Sequence, residues 1–157
     1  DSGFFSMRDA APHVAEGWDP VQDEAGTVIS WRQNIFSYPS IGSPDGGAHA
    51  TAADLVRFLD AVRDGKLLSA ESTAAFLSPQ VKHSDLDAGE LHYGYGLEFR
   101  LGPTGEVRSL YKDGINAGVS AFLGHYPPAD VTLALVSNSE DGAWVPLKDI
   151  TALLQAG

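Results

Sequence analysis

The most regular hydrophobic pattern in the chain begins at Thr51 and predicts a helix. Its apolar residues recur at intervals of three and four positions: Leu55, Phe58, Leu59 and Val62. This spacing places them on one face of a helix. Thr51 and Asp54 have the spacing of a capping box at its start, and Gly65 is suited to its end. A shorter helix is predicted from about Ala70 to Leu77.

The C-terminal part of the chain changes to a pattern of strands and turns. Val131–Val136 is a nearly continuous apolar run, which predicts a strand covered on both faces. Proline and glycine predict a tight turn at 127–130 and a hairpin turn at 102–105. Between these turns we expect two strands joined by a corner that carries Gly114 and Gly118, where the backbone approaches another group closely.

Less regular segments surround these elements. Residues 1–24 are predicted to be irregular and Gly26–Asn34 to form a short strand. A loop is predicted over 37–47, and a polar surface loop over Val81–Leu91. Near the end, an amphipathic pattern that begins around Pro146 predicts a C-terminal helix.

These elements predict an α+β fold in a single domain. A small helical and loop region, residues 1–92, precedes residues 93–157, which form an antiparallel sheet of three to four strands packed by the C-terminal helix. A chain of 157 residues is long enough to bury a hydrophobic core. Its 43% hydrophobic and 20% charged residues are typical of a globular protein.

The charge and the cysteine count exclude several classes of function. The formal net charge is −11, which argues against a nucleic-acid partner because such binding requires Lys and Arg to neutralise phosphates. No apolar run approaches the roughly 20 residues of a membrane-spanning helix, so no membrane span is predicted. The absence of cysteine excludes disulfides, thiolate metal sites and a cysteine nucleophile, and it does not define a compartment.

Candidate metal and cofactor ligands are few. The histidines lack the spacing of metal ligands, so neither a metal site nor a cofactor is predicted; they are His13, His49, His83, His92 and His125. The acidic segment with Asp85, Asp87 and Glu90 lacks the pattern of a calcium loop, which favours a solvated surface. Four aromatic residues either line a substrate mouth or pack in the core and loops: Trp18, Trp31, Phe36 and Tyr38.

The first residues do not resemble a signal peptide. The segment 1–8 has no basic region followed by an apolar one. It also lacks an initiator methionine and reads as the middle of a fold. We therefore expect a fragment or a processed chain.

Two blocks of sequence resemble a known superfamily. The first begins with Lys112-Asp113-Gly114, continues through Gly118-Val119-Ser120, and ends after an apolar strand in Ser137-Asn138. The second is the segment Gly46–Phe58, which reads Gly-Gly-Ala-His-Ala-Thr-Ala-Ala-Asp-Leu-Val-Arg-Phe. In this order they resemble the C-terminal part of the serine β-lactamase, penicillin-binding protein and esterase superfamily, and most of all its class C-like branch. Ala117 stands where that branch often has proline.

The resemblance implies a partial β-lactamase-like fold and a set of roles. The complete domain would cleave an amide or ester of a small molecule through an acyl-enzyme. Lys112 would place a cation in the cleft, and Ile115, after Gly114, would offer a backbone N–H to the oxyanion hole. Asp113, Asn116 and Ser120 would be polar substrate contacts. Alternatively, Lys112 is a solvated lysine at a strand end, and Asp113-Gly114 is only a hairpin turn.

Two further blocks of that superfamily are absent from the sequence. Ser-x-x-Lys occurs only as Ser109–Lys112, on a predicted strand, where positions three apart point to opposite faces. Neither Tyr-x-Asn nor Ser-x-Asn occurs. We therefore expect this chain to be inert alone, and to form a homodimer or to associate with the missing N-terminal half. The alternative is a non-catalytic binding or self-assembling α+β module.

Overall fold

A computed structural model describes residues 2–6, 14–34 and 41–155. The elements in chain order are β1 (Gly17–Gln22), β2 (Val28–Asn34), α1 (Ala52–Arg63), α2 (Ala70–Phe76), β3 (Val81–Leu86), β4 (Gly89–Tyr93), β5 (Glu98–Leu101), β6 (Val107–Asn116), β7 (Val119–Tyr126), β8 (Val131–Ser137) and α3 (Trp144–Gln155). Strands β3 to β8 form one sheet in chain order, and β1 pairs with β2 separately. The helices that the structure describes are all too short or too polar to span a bilayer.

The predicted α+β class is confirmed, and the large sheet has six antiparallel strands where three to four were expected. The difference arises at Val81–Leu91, because the predicted loop is wrong and the segment forms the β3–β4 hairpin. The polar side chains that suggested a loop lie on an edge hairpin. There Lys82 Nζ bonds Asp85 Oδ1 and Glu90 Oε1, each at 2.7 Å. An edge hairpin with solvated faces tolerates such a composition.

The prediction that residues 1–24 are irregular is wrong for Gly17–Gln22, which form β1, whereas the described residues 2–6 and 14–16 contain no helix or named strand. β1 pairs with β2 from Gly17↔Asn34 to Gln22↔Val28, with an irregularity after Val21. Pro20 lies inside β1, and proline usually argues against a strand. The predicted strand at Gly26–Asn34 is confirmed as β2. Part of the predicted loop 37–47 lies outside the described residues, and its remainder, 41–47, contains no helix or named strand.

The predicted starts and ends of several elements are confirmed. Thr51 caps α1, because its Oγ1 accepts the Asp54 N–H at 3.1 Å. Gly65 follows α1 with a φ of 68°, a conformation that favours glycine. The turn at 102–105 closes through the Gly102 N–H and the Glu106 carbonyl at 2.8 Å. Pro146 lies in the first turn of α3.

Two hydrophobic clusters lie on opposite faces of the large sheet. The first contains Leu59 from α1 together with Leu97, Phe99, Leu101 and Leu110. The second contains Tyr111, Phe122 and Tyr126, against which Trp144, Leu147 and Leu154 of α3 pack. The neighbours Leu110 and Tyr111 point to opposite faces because side chains alternate along β6. One strand therefore contributes to both clusters.

β8 is covered on both faces, as expected, but only partly. α1 packs against one face, and Leu133 and Leu135 pack towards α3 on the other, yet these side chains stay only half-buried. Val136 remains 48% exposed. The reason is position, since β8 is the last strand of the described sheet and pairs only with β7. An apolar run does not by itself distinguish a central strand from an edge strand.

A buried imidazole joins the end of α1 to the β7–β8 hairpin. His125 Nδ1 lies 3.2 Å from Thr132 Oγ1, and that hydroxyl donates to Asp60 Oδ1 at 2.6 Å. Because the single Thr132 proton goes to Asp60, Nδ1 of His125 is the donor. Arg63 bonds both Asp60 and Asp130, at 3.2 and 3.1 Å. This network accommodates His125 as a neutral imidazole, because Arg63 already supplies a positive charge to it.

Acid should destabilise the fold through His125. Burial lowers the pKa of His125 below its ordinary 6.5, and the Arg63 charge lowers it further, whereas Asp130 and Asp60 oppose the shift. The unfolded chain therefore binds more protons just below pH 6.5, so stability falls as pH drops through that range. We expect the free energy of unfolding in urea to fall less between pH 7 and pH 5.5 in a His125→Gln variant than in the original protein.

His83→Gln is the matched control, because His83 is an exposed histidine on β3. It should keep the full pH dependence of the original protein. Equal pH dependence in the His125→Gln variant and in the original protein would contradict the assignment.

Candidate functional site

The second half of β6 has an open edge. β5 pairs with β6 only as far as Glu98↔Tyr111, whereas β7 pairs with β6 to its end at Asn116. Among the described residues, 112–116 therefore pair on one side only, and all five are exposed. We call residues 112–116 the open strip. Its free edge offers backbone N–H and C=O groups to a ligand that binds as an extended chain.

Space is available beside Gly114 in the open strip. A Cβ built on Gly114 would meet no atom within 4 Å. The following side chain, Ile115, is 59% exposed, so its backbone also lies near solvent. Gly114 and Ile115 are thus accessible to a ligand. The resemblance requires this accessibility, because it assigns an oxyanion-hole N–H to Ile115.

Lys112 carries the cation of the open strip. Its Nζ lies 3.4 Å from Glu98 Oε1 and 3.6 Å from Asp113 Oδ1, and its side chain is 54% exposed. Glu98 is buried and also accepts a hydrogen bond from the Tyr111 hydroxyl at 3.1 Å. A buried carboxylate held by a second donor is a fixed partner, so it limits where the long lysine side chain points.

The two tyrosines near Glu98 are hydrogen-bond donors at neutral pH. Burial raises the pKa of Tyr111 to about 12, with Arg100 opposing and Glu98 adding to the shift. The charge of Glu98 raises the pKa of Tyr93, and desolvation adds to it. Both hydroxyls therefore keep their protons near pH 7. Neither can act there as a ready general base.

The end of the open strip lies against the β1–β2 hairpin. Asn116 Oδ1 accepts the Ala117 N–H at 2.9 Å and so starts the turn to β7. Gly118 has a φ of 73°, and a Cβ there would lie 3.1 Å from Gly17 Cα and from Asn34 Cβ. The predicted close backbone approach is confirmed at Gly118. A side chain at this position would have to move the hairpin.

Ser120 differs from the other predicted substrate contacts. It is fully buried, donates to the Ser139 carbonyl at 2.8 Å, and accepts the Ala143 N–H at 3.1 Å. Both contacts link β7 to the segment that leads into α3. This arrangement favours a structural role, and a direct substrate contact of Ser120 stays a prediction. Asp113 and Asn116, in contrast, are exposed on the open strip.

The expectation that Ser109 lies on a strand is confirmed. Ser109 pairs with Arg100 in β6, and Lys112 pairs with Leu123, so alternation places the two side chains on opposite faces. Ser109 is also buried. It therefore lacks the helical geometry of a Ser-x-x-Lys nucleophile.

The remaining candidates fall in different places. Trp18 and Trp31 are 37% and 55% exposed on the hairpin whose base touches Gly118, and the backbone N–H of Trp18 donates to the Asn138 carbonyl at 2.9 Å.

Phe36, Tyr38 and His13 lie outside the described residues. Among the described residues, no group of three His, Asp or Glu side chains is arranged to hold a metal ion. Asp85 and Glu90 bind Lys82.

Sequence reasoning missed Glu98 as a site residue. The available signal was a charged residue between Leu97 and Phe99, in a segment that opens the sheet. A lone acidic residue flanked by buried apolar ones usually has a partner. The pattern could not identify Lys112 as that partner, because the contact depends on the β5–β6 register.

The comparisons with known proteins define the family. The Beta-lactamase family model matches residues 1–157, and the chain belongs to that family. A penicillin binding protein from Bacillus halodurans has a TM-score of 0.83 and 30% identity, over 97% of this chain and 44% of that one. An octameric penicillin-binding protein homologue from Pyrococcus abyssi has a TM-score of 0.70 and 25% identity, over 88% of this chain and 30% of that one. No curated protein matches.

The predicted superfamily resemblance is therefore confirmed. The chain spans less than half the length of either solved structure.

Removing the Ser120 hydroxyl should loosen α3. Ser120→Ala leaves the Ser139 carbonyl and the Ala143 N–H without this partner, so we expect a loss of about 1–3 kcal/mol in the free energy of unfolding. Urea denaturation followed by circular dichroism measures it. Ser30→Ala, at an exposed position on β2, is the control and should change stability by less than about 0.5 kcal/mol. Equal effects of the two substitutions would contradict the structural role.

Proposed function

We propose that this chain is the C-terminal portion of a serine hydrolase that cleaves amide or ester bonds of small molecules through an acyl-enzyme. The open strip is the observation that carries the proposal. It combines an unpaired strand edge, an accessible cation and a glycine with free space beside it, in the block that begins with Lys112-Asp113-Gly114 and resembles the superfamily. Membership of the Beta-lactamase family supports the same conclusion.

Each residue of the open strip has a role in this proposal. Lys112 attracts the carboxylate of a substrate, and Glu98 keeps the ammonium near the strip. The N–H of Ile115, after the unhindered Gly114, donates to the oxygen that becomes negative during acyl transfer. Asp113 and Asn116 offer polar groups at either side of this position. A substrate amide would add to the free edge as an additional strand.

The nucleophile and its base must come from residues other than these 157. The sequence contains neither a Ser-x-x-Lys on a helix nor a Tyr-x-Asn or Ser-x-Asn. Removing the nucleophile also removes its N–H, the second oxyanion donor of such a site. This chain alone should therefore bind substrate weakly and turn over neither a chromogenic β-lactam nor a p-nitrophenyl ester.

Binding at the open strip can be measured without turnover. Titration of the 157-residue protein with benzylpenicillin should shift the backbone amide NMR signals of residues 112–116. Lys112→Met should weaken this binding by about fivefold, because a half-exposed charge contributes a modest interaction with a carboxylate. Lys66→Met is the control, since Lys66 is an exposed lysine that pairs with Asp64 and is distant in sequence from the open strip.

Shifts confined to other parts of the protein, or equal affinities in the two lysine variants, would contradict the proposed role of Lys112. Rapid hydrolysis of the β-lactam by this chain alone would contradict the proposal that the nucleophile lies elsewhere.

A second candidate function is assembly through the free edge of β8. Among the described residues β8 pairs only with β7, and Val136 is 48% exposed. Free strand edges pair readily with other chains. The homologue from Pyrococcus abyssi is octameric, which supports self-association of a chain of this fold. We propose that β8 pairs either with a second copy or with the remaining part of the family domain.

Sedimentation velocity over a hundredfold range of concentration tests this assembly. We expect a shift from monomer to dimer, and Val136→Lys should move the transition to higher concentration, because an edge lysine disfavours strand pairing. Val145→Lys, at a position 70% exposed on α3, is the control. A monomer at every concentration would contradict self-association.

A further inference from the structure

Seven of the nine basic side chains that the structure describes are paired with carboxylates. The sequence has ten Lys and Arg residues, and Arg8 lies outside the described residues. The seven paired ones are Arg32, Arg57, Arg63, Lys66, Lys82, Arg108 and Lys112. Within the described residues, the remaining two, Arg100 and Lys148, have no carboxylate within 4 Å. The chain contains 21 acidic residues, so a shortage of carboxylates does not explain why these two cations are without an ion pair.

Both of these cations line the same cavity. It has a volume of about 360 Å³ and lies between the strands β5 to β7 and α3, with Phe122 and Trp144 in its lining. This volume is within the range of small-ligand sites, roughly 300–1,000 Å³. Side chains alternate along β6, so the cavity lies on the face of the sheet opposite to Lys112. The cavity is therefore not lined by Lys112, the cationic residue of the open strip.

The position of Arg100 is partly fixed. Its guanidinium carbon lies 5.7 Å from the centre of the Tyr111 ring, within the range of a cation–π contact. Such a contact holds the planar group over the ring. Arg100 also hydrogen-bonds the Tyr111 side chain, so the remaining N–H groups of its fork are the ones available to a carboxylate. The buried Ser109 is opposite Arg100 in the strand register and also lines the cavity.

One acidic residue lines the cavity as well. Asp113 is 3.6 Å from Lys112 Nζ, so its charge is already partly balanced. Asp113 pairs with neither Arg100 nor Lys148 within 4 Å. On charge alone, these two cations favour an anion, and the aromatic side chains of the lining favour an apolar body.

We propose that this cavity binds a small aromatic carboxylate. Its anion lies between Arg100 and Lys148, and its ring packs against Phe122 and Trp144. The site lies on the face of the sheet opposite to Lys112 and shares Asp113 with the open strip, and the proposal does not depend on the proposed hydrolase function.

Benzoate and benzamide are the probes, because they have nearly the same shape and only benzoate carries a charge. Calorimetric titration of the 157-residue protein should show saturable benzoate binding, with benzamide at least about tenfold weaker. The indole N–H signal of Trp144 should shift with benzoate. Raising the salt concentration should weaken the binding, as expected for a partly exposed ion pair.

Arg100→Gln and Lys148→Gln should each weaken benzoate binding by roughly fivefold. Lys66→Gln, which removes a lysine that is already paired with Asp64, should leave it unchanged. Circular dichroism confirms that each variant is folded. The use of two variants keeps the test valid if one of them does not fold. Equal binding of the two probes, an unmoved Trp144 signal, or affinities that survive both substitutions would overturn the proposal.

The two proposals fail separately. Benzylpenicillin shifts at residues 112–116 without benzoate binding would overturn the cavity site alone, and the reverse result would overturn the role of the open strip alone.

Discussion

The ladder between β6 and β7 is the constraint on which the rest of the structure depends. Seven consecutive positions pair, from Leu110↔His125 to Asn116↔Val119. The fixed register sends Leu110 to the cluster beneath α1 and Tyr111 to the cluster beneath α3. It also carries β6 past Glu98, the first residue of β5, which is why residues 112–116 have a free edge among the residues that the structure describes. A slip of one residue would exchange the two faces and place Lys112 in the aromatic cluster.

The fold was predictable wherever local chemistry decides it. The cap at Thr51, the glycine after α1 and the turns at 102–105 and 127–130 depend on neighbouring residues, and each occurs where the pattern indicated. The β3–β4 hairpin and β1 were not predictable from the same signals. β3 is mostly exposed, and β1 and β4 are mostly only half-buried, so burial constrains their composition weakly, and Pro20 obscures β1 further.

The candidate site was predictable as a segment but not as a set of contacts. The order of residues 112–120 resembles a family block, which is enough to select the strand. The partners of that strand depend on distant pairing. Glu98 meets Lys112 because it begins β5 opposite Tyr111, the neighbour of Lys112. Ser120 is buried where the N–H of Ala143 and the carbonyl of Ser139 approach it. The cavity with Arg100 and Lys148 joins β5 to α3, which no local pattern links.

The contact at Gly118 has a mechanical consequence. A Cβ at position 118 would lie 3.1 Å from Gly17 Cα and from Asn34 Cβ, so the turn between β6 and β7 packs against the β1–β2 hairpin with no room for a side chain between them. The spacing between this turn and the hairpin is thus set by the two backbones, and exchanging exposed side chains elsewhere on the hairpin would leave it unchanged.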